Sequence, residues 1–158
     1  MSNARLIQIA LISSLCTQSV LAANVRLTNM PTINFGSWST GDLVSDNSTC
    51  VYRDDGKNRY TVTATDNSTI TPNGFYLENQ AHTVELPYIV KWNTSANPGG
   101  KTLPYGSAFN RRSAATSDEL CAIEGLSANL TMEVDSADIA AVPAGTYYAE
   151  LTIVIEPR

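Results

Sequence analysis

The sequence predicts an all-β fold, an immunoglobulin-like β-sandwich. Apolar and polar residues alternate in several short segments, and turn-forming residues separate these segments. No stretch has the length and periodicity of an amphipathic helix. Seven or so short strands with one cysteine pair are typical of sandwiches of this kind. A closed barrel is the alternative that alternation alone leaves open.

Residues 1–22 have the features of an export signal. Arg5 is the only charge, an apolar run follows it, and Ala22 supplies a small residue before the expected cleavage site. The run is too short to span a bilayer. A bulky leucine precedes Cys16 where a lipoprotein signal needs a small residue, so no lipid anchor is expected. We therefore expect residues 23–158 to form one exported domain.

Four segments alternate clearly enough to predict half-buried strands. They lie at residues 60–66, 84–92, 126–134 and 144–157. In the last segment Leu151, Ile153 and Ile155 face inward, and the residues between them face solvent. Pro87 lacks an N–H group, which places the second segment at an edge or a bulge.

Weaker patterns predict the rest of the chain. Three further strands are expected at residues 31–38, 48–53 and 74–79, with tight turns at 54–56 and 72–74. A longer surface loop opens at residue 97. Single helical turns are predicted at 113–120, with Ser117 as the cap, and at 136–141.

The chain is acidic. The whole chain carries a net charge of −5, and removing Arg5 with the export signal leaves 9 basic against 15 acidic residues, hence −6.

The cysteines predict a disulfide. Once Cys16 is removed with the signal, Cys50 and Cys121 remain, and such a pair usually bonds in an exported protein. The closed loop would stabilise the fold by about 4 kcal/mol. With one histidine, His82, and no CxxC motif, neither a metal nor another cofactor is expected.

The acidic surface and the missing catalytic motifs exclude several functions. The basic residues are scattered, which argues against nucleic acid and anionic lipid as partners. His82 is interpreted as a surface residue in a loop, and Glu78 and Glu85 as outward-facing charges on adjacent strands. No nucleophile elbow, zinc-protease or phosphate-loop motif occurs, so no enzyme is expected. Four Asn-x-Ser/Thr triplets are interpreted as accidents of composition, beginning at Asn47, Asn67, Asn93 and Asn129.

Several stretches together resemble the spore coat protein U domain. This family comprises secreted subunits of archaic chaperone–usher pili. The similar stretches cover nearly all of the chain after the export signal: 33–43, 49–66, 75–79, 86–93, 120–121 and 144–157. The Phe35-Gly36 pair, the setting of the two cysteines and the Ala-Gly-Thr-Tyr opening of the last segment are specific in combination.

The resemblance implies a sandwich that lacks its last strand. In such subunits the C-terminal strand borders an apolar groove, here expected to include Phe35, Leu151, Ile153 and Ile155. A periplasmic chaperone fills the groove first, and a strand from another pilus subunit fills it after passage through an outer-membrane usher. The implied protein is a structural subunit displayed on the cell surface. The alternative is a monomeric secreted or cell-surface domain that binds a ligand.

The N-terminal segment departs from the family pattern. Polymerising subunits carry a donor extension before their first strand, but only twelve residues, 23–34, precede Phe35 once the signal is removed. Residues 24–30 alternate weakly, so they are predicted to form either a short donor strand or the first strand of this domain. A shaft subunit and a minor, tip or terminating subunit both remain open.

Overall fold

The computed structural model describes residues 23–30, 32–111 and 115–158. The predicted export signal lies outside these residues and stays a prediction. The strands and the helix of the described residues are, in chain order, β1 (Val25–Thr28), β2 (Leu43–Arg53), β3 (Tyr60–Asp66), β4 (Tyr76–Asn79), β5 (Glu85–Pro87), β6 (Ile89–Asn93), β7 (Lys101–Thr102), β8 (Phe109–Arg111), β9 (Ala128–Val134), α1 (Ser136–Ala141), β10 (Tyr147–Tyr148) and β11 (Leu151–Pro157).

These strands form three antiparallel sheets. One has five strands in the order β1-β2-β9-β6-β7, and the other two have three strands each, in the orders β10-β4-β5 and β11-β3-β8. The apolar core draws residues from all three sheets. The described strands therefore build a nearly all-β sandwich, as predicted, and the separate sheets rule out the closed barrel for them.

The centre of the core is a pair of aromatic residues that joins the sheets. Trp92 on β6 is fully buried, and its ring meets that of Tyr60 on β3 edge-to-face, with centroids 6.4 Å apart. The indole N–H also donates to the Tyr60 hydroxyl at 3.0 Å. A buried indole needs such a partner, because an unsatisfied N–H is costly in an apolar interior. The alternation of β3 and β6 predicted this inward placement correctly.

The strand β9 is more deeply buried than the sequence predicted. Leu130 and Val134 face the core as expected, but Thr131 and Asn129 on the opposite face are also buried. The loop after β6 covers that face, since the backbone N–H of Gly99 donates to the Thr131 hydroxyl at 2.7 Å. The hydroxyl in turn donates to the Asn129 side chain at 2.8 Å. Polar residues here satisfy one another under a loop rather than facing water.

The segment predicted at 84–92 is two strands rather than one. The chain leaves the small sheet at Pro87, the last residue of β5, and joins the large sheet at Ile89. Pro87 lies on an edge strand, as predicted, because it has no N–H to donate to a neighbour. Between the strands, the N–H of Tyr88 donates to the carbonyl of Phe75 at 3.0 Å. The inward alternation continues through the break, so the sequence pattern did not reveal it.

The predicted strand at 31–38 is wrong for its described residues, 32–38, which form no regular strand. Gly36 adopts a left-handed conformation with φ of 74°. Its N–H is bound by the side chain of Asn34 at 2.8 Å, a local turn that replaces strand pairing.

The helical turn at 136–141 is confirmed as α1, and the Asp135 carboxylate caps it by accepting from the N–H of Ala137 at 2.7 Å.

The region after residue 97 holds two short strands that the sequence pattern does not predict. β7 pairs with β6, and β8 pairs with β3. Gly100, with φ of 108°, makes the first pairing possible, because a Cβ there would lie 2.3 Å from the Trp92 carbonyl oxygen. The helical turn expected at 113–120 is not found in residues 115–120, and residues 113–114 lie outside the described residues.

The two cysteines are joined as predicted. The Sγ atoms of Cys50 and Cys121 are 2.01 Å apart and the Cα atoms 5.8 Å apart. The bond ties β2 to the loop that precedes β9. Within that loop the Asp118 carboxylate accepts from the N–H groups of Leu120 and Ile123, at 3.2 and 2.6 Å. These backbone hydrogen bonds, the one from Ile123 above all, hold the pKa of Asp118 below its usual value.

Candidate functional site

Two edge strands, β1 and β11, lie close together without pairing. Among the described strands β1 pairs only with β2, and β11 only with β3. In places their Cα atoms approach to within 8 Å, but the two are not neighbours in any sheet. Each therefore has one edge without a strand partner among the described residues. We call the region formed by Val25 and Leu27 of β1 and Leu151, Ile153 and Ile155 of β11 the open seam.

The apolar side chains of the open seam are only half-buried. All five pack against the buried core, yet each keeps part of its surface in solvent. Phe35, in the segment after β1, is also half-buried and packed against the core. The prediction that Phe35 and the three β11 residues line a groove stays a prediction, because the geometry shows their partial burial and not an occupant.

The N-terminal strand belongs to this domain. β1 runs antiparallel to β2, with Val25 opposite Arg53 and Thr28 opposite Cys50. Asn24 reinforces the start of the strand, since its backbone N–H and side-chain amide donate to the Asp54 carboxylate at 2.8 and 2.6 Å. Of the two interpretations that the sequence left open for residues 24–30, the structure therefore has the domain's own first strand.

A buried arginine fixes one end of the open seam. The Arg53 side chain is 2% exposed, and its guanidinium donates to main-chain oxygens of Arg59 and Arg158, the latter at 3.0 Å. The Asp55 carboxylate neutralises it with contacts of 2.9 and 2.5 Å, and this bonding keeps the pKa of Asp55 below its usual value. Arg53 thus ties the end of β2 to the start of β3 and the end of β11. The available signal was its inward position in the alternation after Val51.

Glu78 and Glu85 form a second polar cluster, and the interpretation of both as outward-facing charges is wrong for Glu78. Its side chain is only 4% exposed, and it lies directly opposite Glu85 in the pairing of β4 with β5. The Ser68 hydroxyl is 2.9 Å from one carboxylate and 2.8 Å from the other. Thr71 donates to Glu85 through its N–H at 2.7 Å and its hydroxyl at 2.5 Å. The carboxylates therefore hold the loop at 68–71 in place.

His82 extends this cluster to the strand before β11. Its Nδ1 contacts the Glu78 carboxylate, and its Nε2 lies 3.1 Å from the Tyr148 hydroxyl on β10. The contact with His82, reinforced by hydrogen bonds from Ser68 and Thr69, lowers the pKa of Glu78 to about 2. His82 is a half-exposed loop residue, as predicted, but it is not isolated, because it connects β4 to β10.

Asp66, at the end of β3, and Tyr88, between β5 and β6, form a third polar contact. The Tyr88 hydroxyl donates to the Asp66 carboxylate at 2.5 Å, and the N–H of Ser68 donates to the same group at 2.7 Å. Burial raises the pKa of Asp66, and burial together with the neighbouring carboxylate raises the pKa of Tyr88. Both residues help to pack β3 against the residues around β4. No group of three or more potential metal ligands occurs within the described residues.

The four asparagines of the Asn-x-Ser/Thr triplets have structural partners. Asn129 is fully buried, so it is inaccessible to a modifying enzyme in the folded chain. Asn67 accepts from the N–H of Glu150 at 2.9 Å, and Asn47 and Asn93 donate to backbone carbonyls at 2.8 and 2.9 Å. These contacts give the side chains roles in the fold that do not involve glycans.

Comparison with solved structures identifies the fold of the chain. A similar solved structure is described as "Chaperone-tip adhesin complex is vital for synergistic activation of CFA/I fimbriae biogenesis". The TM-score is 0.64 at 17% identity, over 85% of this chain. The fold is immunoglobulin-like. The chain spans only 42% of the length of that solved chain, and an identity this low establishes the fold alone.

No protein-family model matches the chain, and neither does any curated protein. Within the described residues no helix is both long and apolar enough to cross a membrane.

Proposed function

We propose that this protein is a structural, non-enzymatic subunit of a surface pilus assembled by the chaperone–usher route. The observation that carries the proposal is the open seam, where two edge strands expose part of an apolar face that packs on the core. The similarity to a chain from a fimbrial chaperone–adhesin complex supports it, as does the resemblance of the sequence to the spore coat protein U domain.

A strand from another chain is the occupant that fits the open seam. The unpaired edge of β11 offers backbone N–H and C=O groups for β-strand addition, and Leu151, Ile153 and Ile155 offer the apolar face for its side chains. Burying a few hundred Å² of apolar surface at about 25 cal/mol per Å² stabilises by several kcal/mol. Two strands that flank a third lie about 9–10 Å apart. Because β1 and β11 come within 8 Å in places, strand addition requires them to part.

The partners of the proposal follow the assembly route. A periplasmic chaperone would fill the seam first, an outer-membrane usher would exchange it, and another pilus subunit would then supply the strand. The Cys50–Cys121 disulfide supports export, because such bonds persist in oxidising compartments. The expected location is the cell surface, after removal of residues 1–22 as the export signal.

An accepting role is better supported than a donating one for the described N-terminal residues. Val25–Thr28 is already paired with β2, so its use as a donor strand would open the large sheet of its own domain. A donating role for this segment would therefore require β1 to leave β2.

The test is to supply the missing strand. We expect the chain from residue 23 onward to be marginally stable or to self-associate, because an unpaired apolar edge invites aggregation. An alternating apolar segment fused after Arg158, or a co-expressed chaperone, should make it monomeric and raise its melting temperature. Ile153→Asp should abolish the rescue, since the charge would lie unpaired on the inner face. Val154→Asp is the matched control, because Val154 points outward and is 45% exposed.

One result would contradict the pilus proposal. If the chain without any added strand is monomeric and melts cooperatively at high temperature, and the fused strand changes neither property, then the fold is complete. The alternative of a monomeric secreted or cell-surface ligand-binding domain would then take its place.

A further inference from the structure

An open surface depression of about 410 Å³ lies at one end of the open seam. Its lining residues are Gly56, Lys57, Asn58, Arg59 and Arg158, and we call it the basic cavity. Its position follows from the strand ends. The N–H of Arg158, just after β11, donates to the carbonyl of Arg59, just before β3, at 3.2 Å. Asn24, just before β1, is bound to Asp54 in the same connection between β2 and β3.

The ionisable side chains that line the basic cavity are all cations. The main-chain carboxylate of Arg158, the last residue of the sequence, is bound by the buried Arg53 guanidinium at 3.0 Å. No carboxylate of the described residues forms an ion pair with Arg59 or Arg158. Lys57 is 70% exposed and lies 4.0 Å from the Asp55 carboxylate, which already neutralises Arg53. The other acid of this connection, Asp54, is hydrogen-bonded to Asn24. Three clustered cations are unexpected in a chain whose net charge is −5.

The walls of the basic cavity are fixed from beneath. The buried Arg53 guanidinium donates to main-chain oxygens of both Arg59 and Arg158, which are also hydrogen-bonded to each other. The backbone that carries the two outer arginines is therefore held before any ligand arrives. A fixed backbone limits the positions that the two side chains can reach, which lowers the entropy cost of binding a ligand there.

We propose that the basic cavity binds a carboxylate carried by the strand that enters the open seam. This inference rests on the proposed function and adds a chemical requirement to it. The incoming segment would be extended, would alternate apolar residues toward the core, and would carry an acidic group at the end that lies beside Pro157 and Arg158. Arginine pairs with carboxylates through charge-assisted and often bidentate hydrogen bonds, which sets register as well as affinity. A strand with a neutral or basic residue there would be disfavoured.

The test is a competition between matched peptides. The chain is refolded with a dye-labelled peptide of alternating valine and threonine that carries glutamate at the end beside Arg158. It is then challenged with unlabelled peptides ending in glutamate, in glutamine, or in an uncharged residue with a free C-terminal carboxylate. We expect the glutamate peptide to compete about tenfold better than the glutamine peptide in low salt, with the advantage shrinking as salt increases. The third peptide shows whether a terminal carboxylate serves as well as a side chain.

Charge-reversal variants locate the effect. Arg59→Glu and Lys57→Glu should each remove the preference for glutamate without reducing the binding of the glutamine peptide, since both side chains are exposed. Lys101→Glu, an equivalent change on the distant β7, should leave the preference intact. Equal competition by the glutamate and glutamine peptides would overturn the basic-cavity inference while leaving strand acceptance standing. If the chain retains none of the labelled peptide, both proposals fail.

Discussion

The strands β6 and β11 have the same alternating pattern and different surroundings. On β6 the inward residues Val90 and Trp92 are completely buried, whereas on β11 the inward residues Ile153 and Ile155 are only half-buried. β6 has a strand on each side, and β11 has one neighbour among the described strands. Alternation therefore determines which face of a strand points inward, and the number of neighbours determines how deeply that face is buried.

The difference has an energetic consequence. A side chain on β6 is already removed from water in the free chain, so it contributes its full burial energy to folding. A side chain on β11 contributes only part of that energy until another strand covers it. The first region should therefore respond to mutation regardless of any partner, and the second should respond more strongly when its partner is present.

Trp92→Ala should give the largest loss in the free energy of unfolding, and it tests the fully buried strand β6. Removing a fully buried tryptophan leaves a cavity and removes the hydrogen bond to the Tyr60 hydroxyl, which together cost about 3–5 kcal/mol. Trp38→Ala is the matched control, because Trp38 is 39% exposed and should cost less than about 1 kcal/mol. Urea unfolding of both variants checks this. Similar losses at the two tryptophans would show that Trp92 is not central to the core.

Ile153→Ala compared with Val90→Ala sharpens the comparison directly. In the free chain we expect Val90→Ala to cost about 2 kcal/mol and Ile153→Ala about 1 kcal/mol, although isoleucine is the larger side chain, because it is only half-buried. With a donor strand fused after Arg158, the cost of Ile153→Ala should rise above about 2 kcal/mol and that of Val90→Ala should not change. The measurement is chemical unfolding of both variants with and without the fused strand. A constant cost at Ile153 would mean that the strand does not cover β11.

The sequence predicted the features that depend on local pattern. The inward faces of β3, β6 and β11 follow from alternation, α1 lies where a helical turn was predicted at 136–141, and the disulfide follows from two cysteines in a chain predicted to be exported. What it did not predict depends on contacts between distant segments. The burial of Thr131 requires a loop more than thirty residues away, and that of Glu78 requires a loop whose hydroxyls no periodicity marks.

The open seam was predicted only in part. The inward residues of β11 could be read from the sequence, but their incomplete burial depends on which strands flank β11. That is a property of topology, and alternation carries no information about it. Arg53 shows the same limit, because its inward position was visible but its partners, main-chain oxygens of Arg59 and Arg158, come together only in the folded chain.

Glu78→Gln should have a smaller effect on stability, confined to acidic pH. It tests the polar cluster beside β10 independently of β11. The pKa of Glu78 in the folded chain is about 2, below the ordinary value of 4.5, so the carboxylate form is stabilised by folding. Its contribution is present above about pH 4.5 and is lost as the pH falls toward 2. The variant should lose less stability than the parent between pH 5 and 2 in thermal melts. It should not lose all of its acid sensitivity, because the pKa values of Asp55 and Asp118 are also lowered. Equal acid sensitivity in parent and variant would show that the cluster does not respond to pH.

Substitution of His82 should give the smallest effect and would show how little β11 depends on the contacts that hold β10. His82 has a left-handed backbone with φ of 52°, so an alanine adds backbone strain besides losing the contacts to Glu78 and Tyr148. Asparagine tolerates this conformation, so His82→Asn separates the two contributions. We expect His82→Ala to lower the melting temperature by about 2–4 °C, and His82→Asn by less. Neither variant should change the response to a fused donor strand, because His82 contacts β10 and β4 rather than the open seam. If His82→Asn abolishes the stabilisation by the fused strand, β10 and β11 act as one unit. The half-buried region would then include β10 as well as β11.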